Sequence, residues 1–477
     1  MGKNSAAPQL GKKKWAFPNA FVILIIFCLV AMVMTWVVPA GRFDRVTEGS
    51  ITKVVPDSFH LVDSKPQNPW DLFRAIVTGF KRQASLIYMT LFVGAAIFML
   101  ESTKAIDIAF RKLARAMKGK EALAIFVVMA VMSLGGATGV FGSVTLVLIP
   151  IGIFLSRAMG FDNGLGFAMI FFGSFSGFNV GWANFSTIGI AQTIAELPIF
   201  SGFGVRVILH ICNFILSYFF VLMYFNKIKK DPTRSLNYET GMALGDYMGS
   251  TGENEDVSKV KLTVSQIVSL LALVLGIVTV VIGALKFKWG ADHISATFLV
   301  VSLVIGLVSR FGANGTADGF IKGCSNVVYA AFIIGFANAI SVIMESGLIL
   351  DTIVYYLSIP INYFGPVAGA NFMLIANSII NIFISSGSGQ ATAVMPIMVP
   401  IADITGITRQ VAVQAFQFGD GFTNCLIPTI GSLMGGLGFA KVQYGRYLKW
   451  ATPFVLLQIV LACVAITILQ SIGWTGL

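Results

Sequence analysis

Ser385-Ser386-Gly387-Ser388-Gly389-Gln390 interrupts an apolar run that begins at Val367 and resumes as far as Ile401. The run is too long for a single span of roughly 20 residues. Its centre is too polar and too rich in glycine to continue a helix through lipid. Two half-length helices that meet at a polar tip and turn back satisfy both constraints, which makes the segment a re-entrant hairpin. Ala122 to Leu155 repeats the pattern around Gly135-Gly136-Ala137-Thr138-Gly139 and Gly142-Ser143. Paired re-entrant hairpins imply a protein built around an intramembrane binding site.

The composition agrees with a membrane chain. Of the 477 residues, 56% are apolar and 12% charged, where a soluble domain carries about 25% charge. The 33 Lys and Arg against 22 Asp and Glu mark cytoplasmic loops, not a nucleic-acid partner. Cys28, Cys212, Cys324, Cys425 and Cys463 lie far apart inside apolar stretches without metal-ligand spacing, so they read as reduced packing residues. Lys12-Lys13-Lys14 followed by apolar sequence to Val38 imitates a signal peptide. The run is too long and lacks an A-x-A site, so it reads as a retained first span.

Nine crossings are expected, with the N-terminus cytoplasmic. They run at about Phe17 to Val38, Ser85 to Leu100, Gly164 to Ala195, Phe203 to Phe225, Val264 to Leu285, Ser295 to Val308, Asn326 to Met344, Val411 to Phe439 and Tyr447 to Ile472. Gly41 to Arg82 reads as a polar outer loop. Lys104 to Lys120 carries Ile106, Ala109, Phe110, Leu113 and Met117 opposite Lys104, Arg111, Lys112 and Arg115, the pattern of an interfacial helix on the cytoplasmic side. Leu348 to Leu357 is its counterpart without Lys or Arg, and faces outward. Residues 227–262 form a cytoplasmic linker between a first half, 1–226, and a second half, 263–477. A constant offset of 246 aligns Pro150 with Pro396, Gly160 with Gly406 and Gly189 with Gly435. Shared element order and arms of opposite charge predict inverted repeats. The expected fold is thus an all-α polytopic membrane protein with two re-entrant hairpins, at about 122–155 and 367–401, and two broken transmembrane helices, at about 164–195 and 411–439.

The broken crossings are interrupted at Ser174-Phe175-Ser176-Gly177-Phe178-Asn179 with Asn184-Phe185-Ser186-Thr187, and at Asp420-Gly421-Phe422-Thr423-Asn424. Candidate solute-binding residues are Thr138, Gly142, Ser143 and Thr145 from the first hairpin, Asn179 and Asn184 from the first broken helix, Ser386, Gly387, Ser388 and Gln390 from the second hairpin, and Thr423 and Asn424. Half-helices beginning near Ser143 and Gln390 would point their positive ends at a solute carboxylate. Candidate ion-coupling residues are Asn179, Ser186, Thr187, Asp420, Asn424 and Thr429, whose oxygens suit sodium, while an intramembrane Asp could instead carry a proton. Capping of the broken helix is the alternative role for Asp420. Trp182 reads as packing or an interfacial anchor, His210 as a lone core histidine, and Arg206 and Arg409 as interfacial or capping charges. Apart from sodium or a proton, no cofactor is expected.

Ser386-Gly387-Ser388-Gly389-Gln390-Ala391, Met395-Pro396-Ile397, Gly406-Ile407-Thr408-Arg409-Gln410 and Ala415-Phe416-Gln417-Phe418-Gly419-Asp420-Gly421-Phe422 resemble the YfcC family. That family stands beside the DcuC-type C4-dicarboxylate carriers in the ion transporter superfamily, with AbgT and divalent-anion/sodium symporters among its relatives. The resemblance implies homodimeric elevator carriers of the bacterial inner membrane, some exchanging basic amino acids and some carrying dicarboxylates. Members similar to arginine/ornithine exchangers carry Gly-Glu-Glu in the first hairpin. Here the stretch reads Gly142-Ser143-Val144-Thr145, which removes the counter-charges for a strongly basic solute and favours an amino acid or dicarboxylate over the alternative, a basic amino-acid or polyamine-type exchanger. An enzyme would need a clustered acid/base pair, and none accompanies His60, His210 or His293. A channel is the remaining rival class.

Overall fold

The computed structural model describes residues 20–48, 51–55, 57–105, 108, 119–139, 141–238, 262–287 and 289–476. Most of the basic helix expected at Lys104 to Lys120, and residues 239–261 of the expected linker, lie outside them.

Among the described residues, seventeen α-helices carry the fold. In chain order they are α1 (Ala20–Val37), α2 (Pro69–Arg82), α3 (Ala84–Ser102), α4 (Glu121–Ala137), α5 (Phe141–Ala158), α6 (Asn163–Phe178), α7 (Ile190–Ile194), α8 (Phe203–Lys230) and α9 (Val264–Phe287). The second series continues with α10 (Ala291–Val308), α11 (Gly312–Ser346), α12 (Leu350–Ser358), α13 (Pro366–Asn381), α14 (Gly387–Thr405), α15 (Arg409–Thr423), α16 (Gly431–Ala440) and α17 (Tyr444–Ser471). Six of these, α3, α8, α9, α10, α11 and α17, are long and apolar enough to cross a bilayer. With α1 and the two interrupted helices, α6–α7 and α15–α16, they make nine spanning candidates.

Several boundaries differ from the sequence reading. The loop expected at Gly41 to Arg82 ends early, because Asn68 accepts from the Trp70 and Asp71 amides and the Asp71 side chain answers to the Asn68 amide. This reciprocal cap starts α2 on the amphipathic stretch Pro69–Arg82, and α3 follows after Gln83 alone. α11 starts at Gly312 instead of near Asn326, so its 35 residues match the combined length of α2 and α3 and pack along both. A mixed-polarity first half, including Asp318 and Lys322, hides this extension from a hydropathy count. α1 packs on α11, and α10 packs on α3.

The loop after α1 holds the only strands among the described residues, β1 (Gly41–Arg42), β2 (Arg45–Glu48), β3 (Ile51–Val54) and β4 (His60–Leu61), paired β1–β4 and β2–β3 in antiparallel register. The segment is clasped to α12. Arg45 forms an ion pair with Asp351 at 2.7 Å, the Phe43 amide donates to the same carboxylate, and Phe59 stacks on Tyr355 with centroids 4.1 Å apart. A cavity of about 720 Å³ lies between this clasp, α12 and the start of α14.

Candidate functional site

Two pairs of consecutive helices stand where the hairpins are expected, α4–α5 and α13–α14, each joined through three to five residues. Each packs on its own broken helix, α4 and α5 on α6, α13 and α14 on α15. The breaks fall later than the sequence reading placed them. α6 continues through Phe178, and the chain is unwound from Asn179 to Asn184 before the π-turn Phe185–Gly189 leads into α7. α15 continues through Thr423, and the second break spans 424–430. Ser174 and Asp420 therefore sit inside regular helix. Their polar side chains need no unwinding, because each faces a hairpin.

Asp420 is fully buried, and neither carboxylate oxygen accepts a hydrogen bond. It makes no cap. Its position in the last turn of α15 sets it against the negative end of the helix, at a cost of about 0.3–1 kcal/mol before burial is counted. A Cβ built on Gly387, the first residue of α14, would lie 3.0 Å from Asp420 Oδ2 and 2.7 Å from Thr187 Cγ2. The second tip thus closes directly on Asp420 and on the far side of the first break. Asn179 approaches from the same break, with its Oδ1 3.0 Å from the corresponding point on Gly421.

Among the unpartnered buried atoms of the hairpins and the first break, oxygens outnumber nitrogens, the nitrogen being Asn184 Nδ2. Asn179 Oδ1, Thr187 Oγ1, Asn381 Oδ1, Gln390 Oε1 and both Asp420 oxygens are buried without a partner. Asn381 Nδ2 is spent on the Asp420 carbonyl, Thr423 Oγ1 and the Asn424 amide oxygen, at 2.8 to 2.9 Å. Gln390 Nε2 is spent on Asn377. An unpartnered buried polar atom costs on the order of 1–3 kcal/mol, so a cluster of lone acceptors is a place shaped for a positive charge.

The other expected residues divide. Asn184 Oδ1 caps the π-turn through the Ser186 amide and hydroxyl, and lies against Gly139 of the first tip. Thr145 donates to Phe141 O and meets Ser174 Oγ at 2.7 Å. Thr138 bonds back to Gly135 O within its own turn. Gly142, Ser186, Ser386 and Ser388 are exposed, Ser386 serving as the cap of α14. Thr429 reaches only Ile382 O, at 3.5 Å. The side chain of Ser143 lies outside the described part.

Sequence reasoning missed the partners on packing helices. Asn377 and Asn381, spaced four apart on the mostly apolar α13, share one face, and that spacing was the available signal. Gln417 Nε2 ties the first break to α15 through Phe178 O at 2.6 Å. Tyr444 and Tyr447 from α17 donate to Leu426 O and Cys425 O, which satisfies carbonyls freed by the second break. No local pattern marks those tyrosines. His210 is not alone either. Trp182 Nε1 donates to its Nδ1 at 2.8 Å, so Nε2 carries the proton and donates to Ser133, which bonds Ser176. Arg206 is fully buried, donating to Gln414, Gln410 and Ser201 O beneath Trp474. It is therefore enclosed by protein rather than left facing lipid or solvent. Arg409 does stand at a surface, paired with Asp403 and Glu196.

Spanning helices, half-helices in hairpins and a buried charge where their ends converge are the features of a membrane transporter. The family model of the C4-dicarboxylate anaerobic carrier DcuC matches residues 17–471, and the chain belongs to that family. It is 28% identical to YfcC of Escherichia coli (strain K12), provisionally named a basic amino acid antiporter, over 97% of this chain and 98% of that one. A Haemophilus influenzae (strain ATCC 51907 / DSM 11121 / KW20 / Rd) protein without an assigned function is 24% identical over 93% of this chain and 95% of its own. Among solved structures, the Alcanivorax borkumensis YdaH transporter aligns with a TM-score of 0.40 at 17% identity, covering 96% of this chain and 100% of that one. MtrF of Neisseria gonorrhoeae, from a class of antimetabolite efflux pumps, aligns with a TM-score of 0.39 at 18% identity over 95% of each chain.

Proposed function

We propose that this protein is a cation-coupled secondary transporter of the bacterial inner membrane, moving a small carboxylate-bearing solute by an elevator mechanism. The observation that carries this reading is the contact of Gly387 with the unpartnered carboxylate of Asp420. The hairpin can dock fully only when the charge beneath it is neutralised. A bound cation therefore becomes a condition for closure, which is the physical content of coupling. The surplus of lone acceptors favours sodium over a proton, since one proton bound to Asp420 would satisfy a single acceptor and leave the others bare.

The solute is best an amino acid. None of Asn179, Asn184, Thr187, Asn377, Asn381, Gln390 and Asp420 can carry positive charge, so a doubly charged dicarboxylate would face Asp420 without compensation. An amino acid brings its own ammonium group. A dicarboxylate would need further co-bound cations.

Inverted repeats supply the moving part. α5 and α14 begin 246 positions apart, as do the π-turn at Phe185 and α16. The N-caps Asp162 and Thr408 keep the same spacing, each bonding the amide three residues on. In this reading 1–226 and 263–477 are the two halves, joined by a cytoplasmic linker at 227–262. The hairpins and broken helices travel as one body against a scaffold that dimerises, with the N-terminus cytoplasmic.

Uptake into proteoliposomes tests the proposal, with a sodium gradient and a proton gradient imposed separately and an amino-acid and dicarboxylate panel as solutes. Asp420→Asn keeps the size of the side chain and removes its charge. Loss of gradient-driven accumulation in a folded variant supports the role, and unchanged accumulation rejects it. Flux without saturation or coupling would instead indicate a channel.

A further inference from the structure

The two halves are not equivalent at the place where the cation would sit. Ser174 stands twelve residues after the cap Asp162, as Asp420 stands twelve after Thr408. The surroundings of the two positions are opposite in kind. At Asp420 the backbone carbonyl receives Asn381 Nδ2 from α13 at 2.9 Å. At Ser174 the carbonyl is approached by Gly136 of α4 so closely that a Cβ there would lie 1.9 Å from it. No side chain could enter, so α4 and α6 pack backbone to backbone.

Phe141 opens α5 where Gly387 opens α14. Its ring covers Gly135, whose Cβ would lie 2.2 Å from Phe141 Cδ2. This ring takes the side-chain space over Gly135, the position that stands 246 residues before Asn381. The remaining polar pair satisfies itself, with Thr145 donating to Phe141 O and Ser174 Oγ meeting Thr145 Oγ1 at 2.7 Å. Neither hydroxyl is among the unpartnered buried atoms. The lone oxygens of the first break, Asn179 Oδ1 and Thr187 Oγ1, lie against α15 and Gly387, while Ser217 Oγ, also unpartnered, stands apart on α8. The two break oxygens serve the pocket of the second half.

We propose that each chain holds a single cation pocket, built by α13, α14 and α15 with the first break, and that the mirror position at Ser174 and Thr145 is a dry packing contact. This rests on the coupling role proposed for Asp420 and fixes its stoichiometry. One cation then accompanies each transport event. With no ion beneath the first hairpin, only the second hairpin is gated by the cation.

Equilibrium binding of radioactive sodium to the purified full-length protein reads the stoichiometry directly. The unmodified chain should bind one ion, Ser174→Ala should also bind one, and Asp420→Asn should bind none while keeping its monodisperse elution and helical circular dichroism. Sodium activation of uptake should follow a Hill coefficient of about 1. Two ions per chain, with one surviving in Asp420→Asn and lost when Ser174→Ala is added, would overturn the single pocket and leave coupling at Asp420 intact. No sodium bound by the unmodified chain would overturn both.

Discussion

Gly387 at the second hairpin tip sits directly on the buried carboxylate of Asp420, close enough that a single added methyl group would lie 3.0 Å from Oδ2. Gly387→Ala should hold the tip away from Asp420 and Thr187 without disturbing the helices around it. We expect a folded protein whose unfolding temperature stays near that of the unmodified chain and whose transport falls at least tenfold. Normal uptake by this variant would show that the tip does not have to close on Asp420.

Gly136 separates fold from function in the other half. Its added methyl would meet Ser174 O at 1.9 Å, and the neighbouring contact of Gly177 with Ser133 O is equally tight. Backbone cannot yield as a side-chain tip can. Gly136→Ala should therefore destabilise by about 1–3 kcal/mol or more through overpacking, read as a lowered unfolding temperature in detergent. The binding of sodium per folded molecule should not change.

Trp182 hangs the first break on α8. Trp182→Phe keeps the ring and deletes the donor to His210 Nδ1, leaving a buried acceptor bare at a cost on the order of 1–3 kcal/mol. Because Trp182 lies two residues from Asn184 and three from Asn179, looser anchoring should raise the KM for solute more than it lowers kcat. A variant with both constants unchanged would make this bond purely structural.

The proposed sidedness, nine crossings from a cytoplasmic N-terminus, is open to labelling. In a chain freed of its own cysteines, a cysteine at position 57 should label from outside and one at position 250 from the cytoplasm. Labelling of both from one face would remove or add a crossing.

The sequence by itself determined the class of fold. Long apolar runs point to a helical membrane chain, and their interruption by Gly and Ser reads as paired half-helices, because unpaired backbone in lipid costs several kcal/mol per group. It also singled out Asp420, since an acidic residue in an apolar run needs a reason. The break positions were displaced because glycine and small polar residues within α6 and α15 look like loop when the hairpins packed on them are unknown. The length of α11 was hidden by polar residues.

Only the tertiary structure decided what surrounds Asp420. Asn381 on α13, Thr187 across the first break and Gly387 on the tip meet there through contacts between distant segments, and sequence periodicity carries no information about which helix faces which. The same holds for the difference between the halves. A constant offset aligns Ser174 with Asp420, but that one position is packed tight and the other is left with bare acceptors follows from where Phe141, Gly136 and Asn381 place their atoms, and packing of that kind is settled in three dimensions.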